Sequence, residues 1–161
     1  MREKYWKVMT GYRFTLYYLD EHFFRYTRYD RYITIFLAIA SSTAIANWAI
    51  WQTFDLLWGV IIGLSQLMTV VNQFLPYKKR VQQIAAMRAK LSALYVEIES
   101  LWNKVDNEQL PEEEINTKCY NFIKKWTKIE DDFFKDDCLP EPQILIDRAD
   151  RKKNDYFEKL F

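Results

Sequence analysis

Five polar side chains stand inside one apolar run. Ser65, Gln66, Thr69, Asn72 and Gln73 fall between Leu56 and Tyr77, a stretch with no charged residue. At about 100° per residue they occupy a helical arc of about 120°. Asp55 and Ile62 project to the same side, and Gly59 and Gly63 border it. Ile61, Leu64, Leu67, Met68, Val71 and Leu75 form the opposite face. Amides and hydroxyls in this pattern make no nucleophile or proton relay. They can hold helices together by hydrogen bonds, at about 0.6–2 kcal/mol each in an apolar medium. They can also line a wet conduit if several copies form a ring. Ser41, Ser42 and Asn47, in the preceding run, are candidate partners for either use.

The groups that carry catalysis are scarce. His22 is the only histidine, so His-based metal sites and triads have little to work with. The chain has no Gly-rich phosphate loop and no CxxC pair. Glu112-Glu113-Glu114 and Asp131-Asp132 sit at expected helix ends, where carboxylates act as caps or solvated groups. The expectation is a non-enzyme without cofactor or metal. Twenty-three basic against 22 acidic residues give a net charge of +1 and no reason to expect nucleic acid as a partner.

The elements that would position the polar stripe follow from the charge distribution. Between Tyr32 and Tyr77 the only charged residue is Asp55. Each half is long enough for a bilayer core, which takes about 20 helical residues. The pattern predicts a two-transmembrane helical hairpin, with spans at about 32–51 and 56–77 and a turn at 52–55. The first span is the weaker, because Ser41, Ser42, Thr43 and Asn47 interrupt it. A pair of buried helices in a soluble bundle is the alternative. Arg25, Arg28 and Arg31 precede the hairpin and Lys78, Lys79 and Arg80 follow it, while the turn carries no basic residue. The positive-inside rule then puts both termini in the cytoplasm and the turn outside. Trp48, Trp51, Phe54 and Trp58 mark one interface, and Tyr26, Tyr29, Tyr32 and Tyr77 the other. The first thirty residues lack the apolar core and cleavage site of a signal peptide.

The remaining segments read as amphipathic helices. Tyr5, Met9, Tyr12, Leu16, Leu19, Phe23 and Tyr26 alternate steps of four and three. Ile84, Met87, Leu91, Leu94, Ile98, Leu101 and Val105 repeat that step, and the first six form a candidate assembly stripe. Such a stripe suits a coiled coil between copies or packing within the chain. Only Pro76 interrupts the path from the second span into this helix, which should run to about Asn107. Leu110-Pro111-Glu112 reads as a helix start, and Ile115, Cys119, Phe122, Trp126, Ile129 and Phe133 as that helix's apolar side. Cys119 is then a small buried hydrophobe, and both it and Cys138 should be free thiols. Asp131 to Pro142 reads as a linker, and Ile144 to Leu160 as a final amphipathic helix. The expected fold is an all-α membrane protein. Residues 1–31 are an aromatic-rich lead helix, 32–77 the hairpin, 78–133 a long helix plus a second, and 134–161 a linker and terminal helix. The lead helix and the C-terminal helices form a cytoplasmic bundle.

This layout resembles the SLATT superfamily of small bacterial two-transmembrane proteins. The residues that carry the likeness are the lead helix ending in Arg25, Arg28 and Arg31-Tyr32, the hairpin Ile33 to Tyr77, and Lys78-Lys79-Arg80 leading into Val81 to Val105. The resemblance implies an effector that oligomerises in the bilayer and forms a pore or disrupts the membrane in a defence or abortive-infection response. It also implies a nucleotide-sensing or signal-producing protein as partner. A non-catalytic membrane scaffold or subunit, and a small ion channel, are the alternatives.

Overall fold

A computed structural model describes residues 1–40, 55–74, 77–134 and 139–160. Among them every regular element is helical: α1 (Arg2–Ala40), α2 (Asp55–Phe74), α3 (Tyr77–Asp106), α4 (Glu112–Phe134) and α5 (Gln143–Leu160). They form two compact units, one of residues 1–23 and 82–161, the other of residues 24–81.

The first unit is a four-helix assembly built on the stripes visible in the sequence. From α1, Tyr5, Met9, Leu16 and Leu19 are buried. From α3, Ile84, Met87, Leu91, Leu94 and Ile98 meet them, joined by Tyr95, Trp102 and Val105; Leu101, at the stripe's edge, is half-buried. α4 adds Ile115, Cys119 and Trp126, and α5 adds Leu145 and Ala149. The core is aromatic as well as aliphatic. Tyr12 stacks on Trp126 at 3.8 Å and 4° between planes, and Trp6 meets Trp102 at 4.9 Å. Apolar burial of this kind supplies about 25 cal/mol per Å², and the ring pairs add to it.

Helix ends are satisfied locally. α3 closes in a Schellman turn: Gln109 N–H donates to the Lys104 carbonyl at 2.9 Å and Glu108 N–H to that of Val105 at 3.2 Å. The turn needs a left-handed residue, and Glu108 supplies it at φ 54°. α4 begins on Pro111, whose carbonyl accepts from Ile115 N–H at 3.1 Å. Glu112, Glu113 and Glu114 then lie at the positive end of that helix.

Two boundaries differ from the sequence reading. α1 runs unbroken to Ala40, past the division drawn at residue 31; no glycine or proline separates Gly11 from Ala40, so nothing stops it. α4 continues to Phe134, through Asp131 and Asp132, because an exposed aspartate costs a helix only tenths of a kcal/mol (roughly) and the first proline beyond is Pro140. α2 is described as far as Phe74 and α3 from Tyr77; the junction at Leu75 and Pro76, through which the sequence reading carries one helix on with a kink, lies outside the described residues.

The second unit comprises the end of α1, α2 and the start of α3. Among the described residues, no helix is long and apolar enough to cross a membrane. Residues 41–54, which hold most of the first apolar run, lie outside the described residues, as do Leu75 and Pro76.

Candidate functional site

The second unit turns a broad apolar surface outward, while Ile61 and Met68 lie half-buried on the same side of α2 as Ser65. On α2 the polar Ser65 is 8 % exposed, while Leu67 is 65 %, Val70 56 % and Leu64 54 % exposed. Val60, Ile62 and Val71 also face outward, and so do Ile35, Phe36 and Ile39 on α1. A water-soluble helix pair would turn these residues inward and leave serine outside.

The polar stripe follows this geometry unevenly. Ser65 Oγ donates to the Ile62 carbonyl at 2.8 Å, and Thr69 Oγ1 to the Ser65 carbonyl at 2.8 Å. Both hydroxyls therefore satisfy themselves on their own helix, which is how such groups tolerate an apolar medium. Gln66 and Thr69 are exposed. Asn72 and Gln73 lie on α2, but their side chains are outside the described residues, and Asn47, Ser41 and Ser42 are outside them altogether. Of the expected stripe, then, Ser65 is the member turned inward.

One edge of α2 combines two features. Gln66 projects within an arc of about 60° of Gly59 and Gly63, and all three are exposed. A Cβ built on either glycine meets nothing within 4 Å. The glycines therefore make no close helix contact within the chain, although a G-x-x-x-G spacing is what lets two helix backbones approach in lipid. At another edge of the unit, Arg80 donates to Tyr26 Oη at 3.2 Å. That contact brings the neighbourhoods of Arg25 and Arg28 on α1 and of Lys78 and Lys79 on α3 to one place, and all four side chains are exposed.

The first unit holds a polar network that spacing alone could not show. The Arg13 guanidinium lies 3.7 Å from the Tyr156 ring centre, 4.7 Å from that of Tyr17 and 5.0 Å from that of Tyr95. One guanidinium nitrogen also donates to Tyr17 Oη at 3.1 Å. Tyr95 Oη and Tyr156 Oη both donate to Glu99 Oε1. Arg13 thus ties α1, α3 and α5 together through ring faces rather than through a carboxylate. Burial, with Glu99 adding to it, pushes the Tyr156 phenol up to about 12 and the Tyr95 phenol further. α5 is also held by Glu21, which accepts from Lys152 Nζ at 2.6 Å and lies 3.8 Å from an Arg148 guanidinium nitrogen. Asp20 pairs with Arg88. Its carboxyl is nevertheless raised, because burial outweighs the arginine.

Cys119 is buried and free, and burial pushes its thiol up, away from nucleophilic use. Cys138 lies outside the described residues. Among the described residues no group of histidine, cysteine and carboxylate side chains could hold a metal ion. Periodicity signals the Ile84 to Leu101 stripe and α2, but nothing in the spacing signals the Arg13 network, whose members come from three distant segments. None of the family models, curated proteins or solved structures compared with the chain matches it.

Proposed function

We propose that this chain is a membrane-embedded helical hairpin that self-associates and permeabilises the bilayer. The observation that carries the reading is the outward apolar surface of the second unit, with Leu64, Leu67 and Val70 exposed while Ser65 is turned inward. That surface needs an apolar environment, and lipid fits it. The sequence supports the same environment, with Asp55 as the only charge between Tyr32 and Tyr77. The exposed basic residues Arg25, Arg28, Lys78 and Lys79, drawn to one edge by the Arg80–Tyr26 contact, suit the cytoplasmic headgroup layer of an inner membrane. Both termini are then cytoplasmic.

Self-association follows from the edge of α2. An exposed glutamine amide in lipid lacks the partners that water would give it, and open glycine backbone beside it invites a second helix. The reading is a homo-oligomer in which the Gly59 and Gly63 edge meets other copies and leaves the Gln66 side toward the water that the copies enclose. In the active assembly Gln66, Thr69 and Gln73 then face water. The resemblance to SLATT proteins gives this permeabilising activity a setting, as a bacterial defence effector triggered through a nucleotide-sensing or signal-producing partner.

The test replaces Gln66, Thr69 and Gln73 together by leucine in the full chain. Insertion should persist, since leucine favours the span. Dye leakage from vesicles should be lost while crosslinked oligomers keep their size. Lost oligomers would reassign these residues to helix packing. Full leakage from the triple variant would remove them from the conduit.

A further inference from the structure

We infer that the cleft between α3 and α4 in the first unit is a binding site for a soluble organic phosphate, a phosphate group carried on an apolar or aromatic body. The cleft has a volume of about 500 Å³, the scale of small-ligand pockets. Its floor is apolar, formed by the half-buried Leu101 and Phe122. Its walls carry four lysines, Lys118, Lys124, Lys125 and Lys128, against one carboxylate, Glu97. Asn121 adds an amide that can donate to a phosphate oxygen.

Two of the cleft's four lysines pair with carboxylates and, among the described residues, two do not. Elsewhere Arg2 pairs with Asp106, Lys7 with Glu3, Arg88 with Asp20, and Lys152 with Glu21. Within the cleft, Glu97 lies 3.4 Å from Lys125 Nζ, and Lys118 reaches out to Glu114 at 3.3 Å. Lys124 and Lys128 pair with no carboxylate among the described residues. Four residues apart on α4, they stand one turn above each other, on the same side of the helix. Like charges at that spacing repel weakly in water, and a phosphate seated between them would remove the repulsion and accept from both ammonium groups. Phe122, with Lys125 Nζ 5.9 Å from its ring centre, gives the body of such a ligand a surface to cover. In a chain of net charge +1, four lysines against one carboxylate over an apolar floor are a local excess of positive charge.

The cleft lies wholly in the first unit and can be tested whatever the hairpin does. The experiment is calorimetric titration of the full chain, in detergent, with adenosine triphosphate and separately with inorganic triphosphate. Both should bind saturably, adenosine triphosphate the tighter, and both should weaken as salt is raised. Lys124→Glu with Lys128→Glu should lower both affinities by at least about tenfold, with helix content by circular dichroism unchanged. Phe122→Ala should weaken adenosine triphosphate alone. No saturable binding of either probe at millimolar concentration, or binding that the double charge reversal leaves intact, overturns the site. Equal affinities for the two probes, both indifferent to Phe122→Ala, overturn the role given to the apolar floor.

Discussion

Ile98 is the residue on which to test the first unit. It is fully buried on α3, and its own carbonyl accepts from Tyr5 Oη at 2.8 Å, so it sits where α1 and α3 meet. Ile98→Ala removes three carbons from that contact, about 2.4 kcal/mol at about 0.8 kcal/mol per buried carbon. The cavity left behind raises the expected loss toward the upper part of the roughly 2–5 kcal/mol range seen for such truncations. Ile98→Val removes one carbon and should cost about 1 kcal/mol. Ile98→Asp puts a carboxylate in the same place and should prevent the unit from forming, since an unpaired buried charge costs several kcal/mol (about) even after relaxation. Val96, two residues away and 62 % exposed, is the control; Val96→Ala should stay within about 0.5 kcal/mol. Urea unfolding of the full chain in detergent, followed by tryptophan fluorescence, reads this series. If Ile98→Ala falls with Val96→Ala, the Ile84 to Leu101 stripe is not the packing surface of the first unit.

Three further outcomes follow from the same structure. Glu108→Gly should stabilise the first unit by about 0.5–1 kcal/mol in the same unfolding assay, because glycine adopts the left-handed φ of 54° without the side-chain penalty; a loss would show that the turn does not need that conformation. Tyr12 and Tyr156 have phenols raised from 10.0 to about 12. The folded unit therefore holds these protons more tightly than the unfolded chain, so its stability is intact below pH 10 and falls as pH climbs from 10 through about 12. Phenolate absorbance should lag the ordinary titration and then rise together with loss of helix, whereas tyrosines that all titrate near 10.0 in a fully helical chain would contradict their burial. Cys119, buried with its thiol pushed up, should react with a thiol reagent only in denaturant, and prompt modification in a Cys138→Ser chain would place it at the surface.

The parts of the fold legible in the sequence are those set by local periodicity. The step of three and four from Tyr5 to Leu19 and from Ile84 to Val105 fixes which face of each helix is buried, and the structure buries those faces. Where a helix stops was less legible. Asp131 and Asp132 look like a break, but helix propensity alone does not end α4 there. The turn after α3 was hidden because its left-handed residue is Glu108 and not a glycine. Of the candidate functional residues, the α2 stripe could be read from a helical projection, yet that projection does not say which edge is inward. Ser65 is buried while Gln66, one residue on, is exposed. The Arg13 cage and the lysine cleft depend on tertiary packing. Arg13 and Tyr17 are neighbours on one helix, but Tyr95 and Tyr156 arrive from elsewhere, and the spacing of Lys124 and Lys128 does not show that Leu101 of α3 lies beside them.

The central claim is that residues 32–77 form a hairpin in the membrane with the turn outside. A single cysteine at Thr53, in a chain carrying Cys119→Ala and Cys138→Ser, tests it in intact cells with a membrane-impermeant maleimide. Thr53→Cys should label before lysis, and Ser100→Cys, on the exposed side of α3, only after it. Labelling of Ser100→Cys in intact cells, or of Thr53→Cys only after lysis, would contradict the hairpin and its orientation.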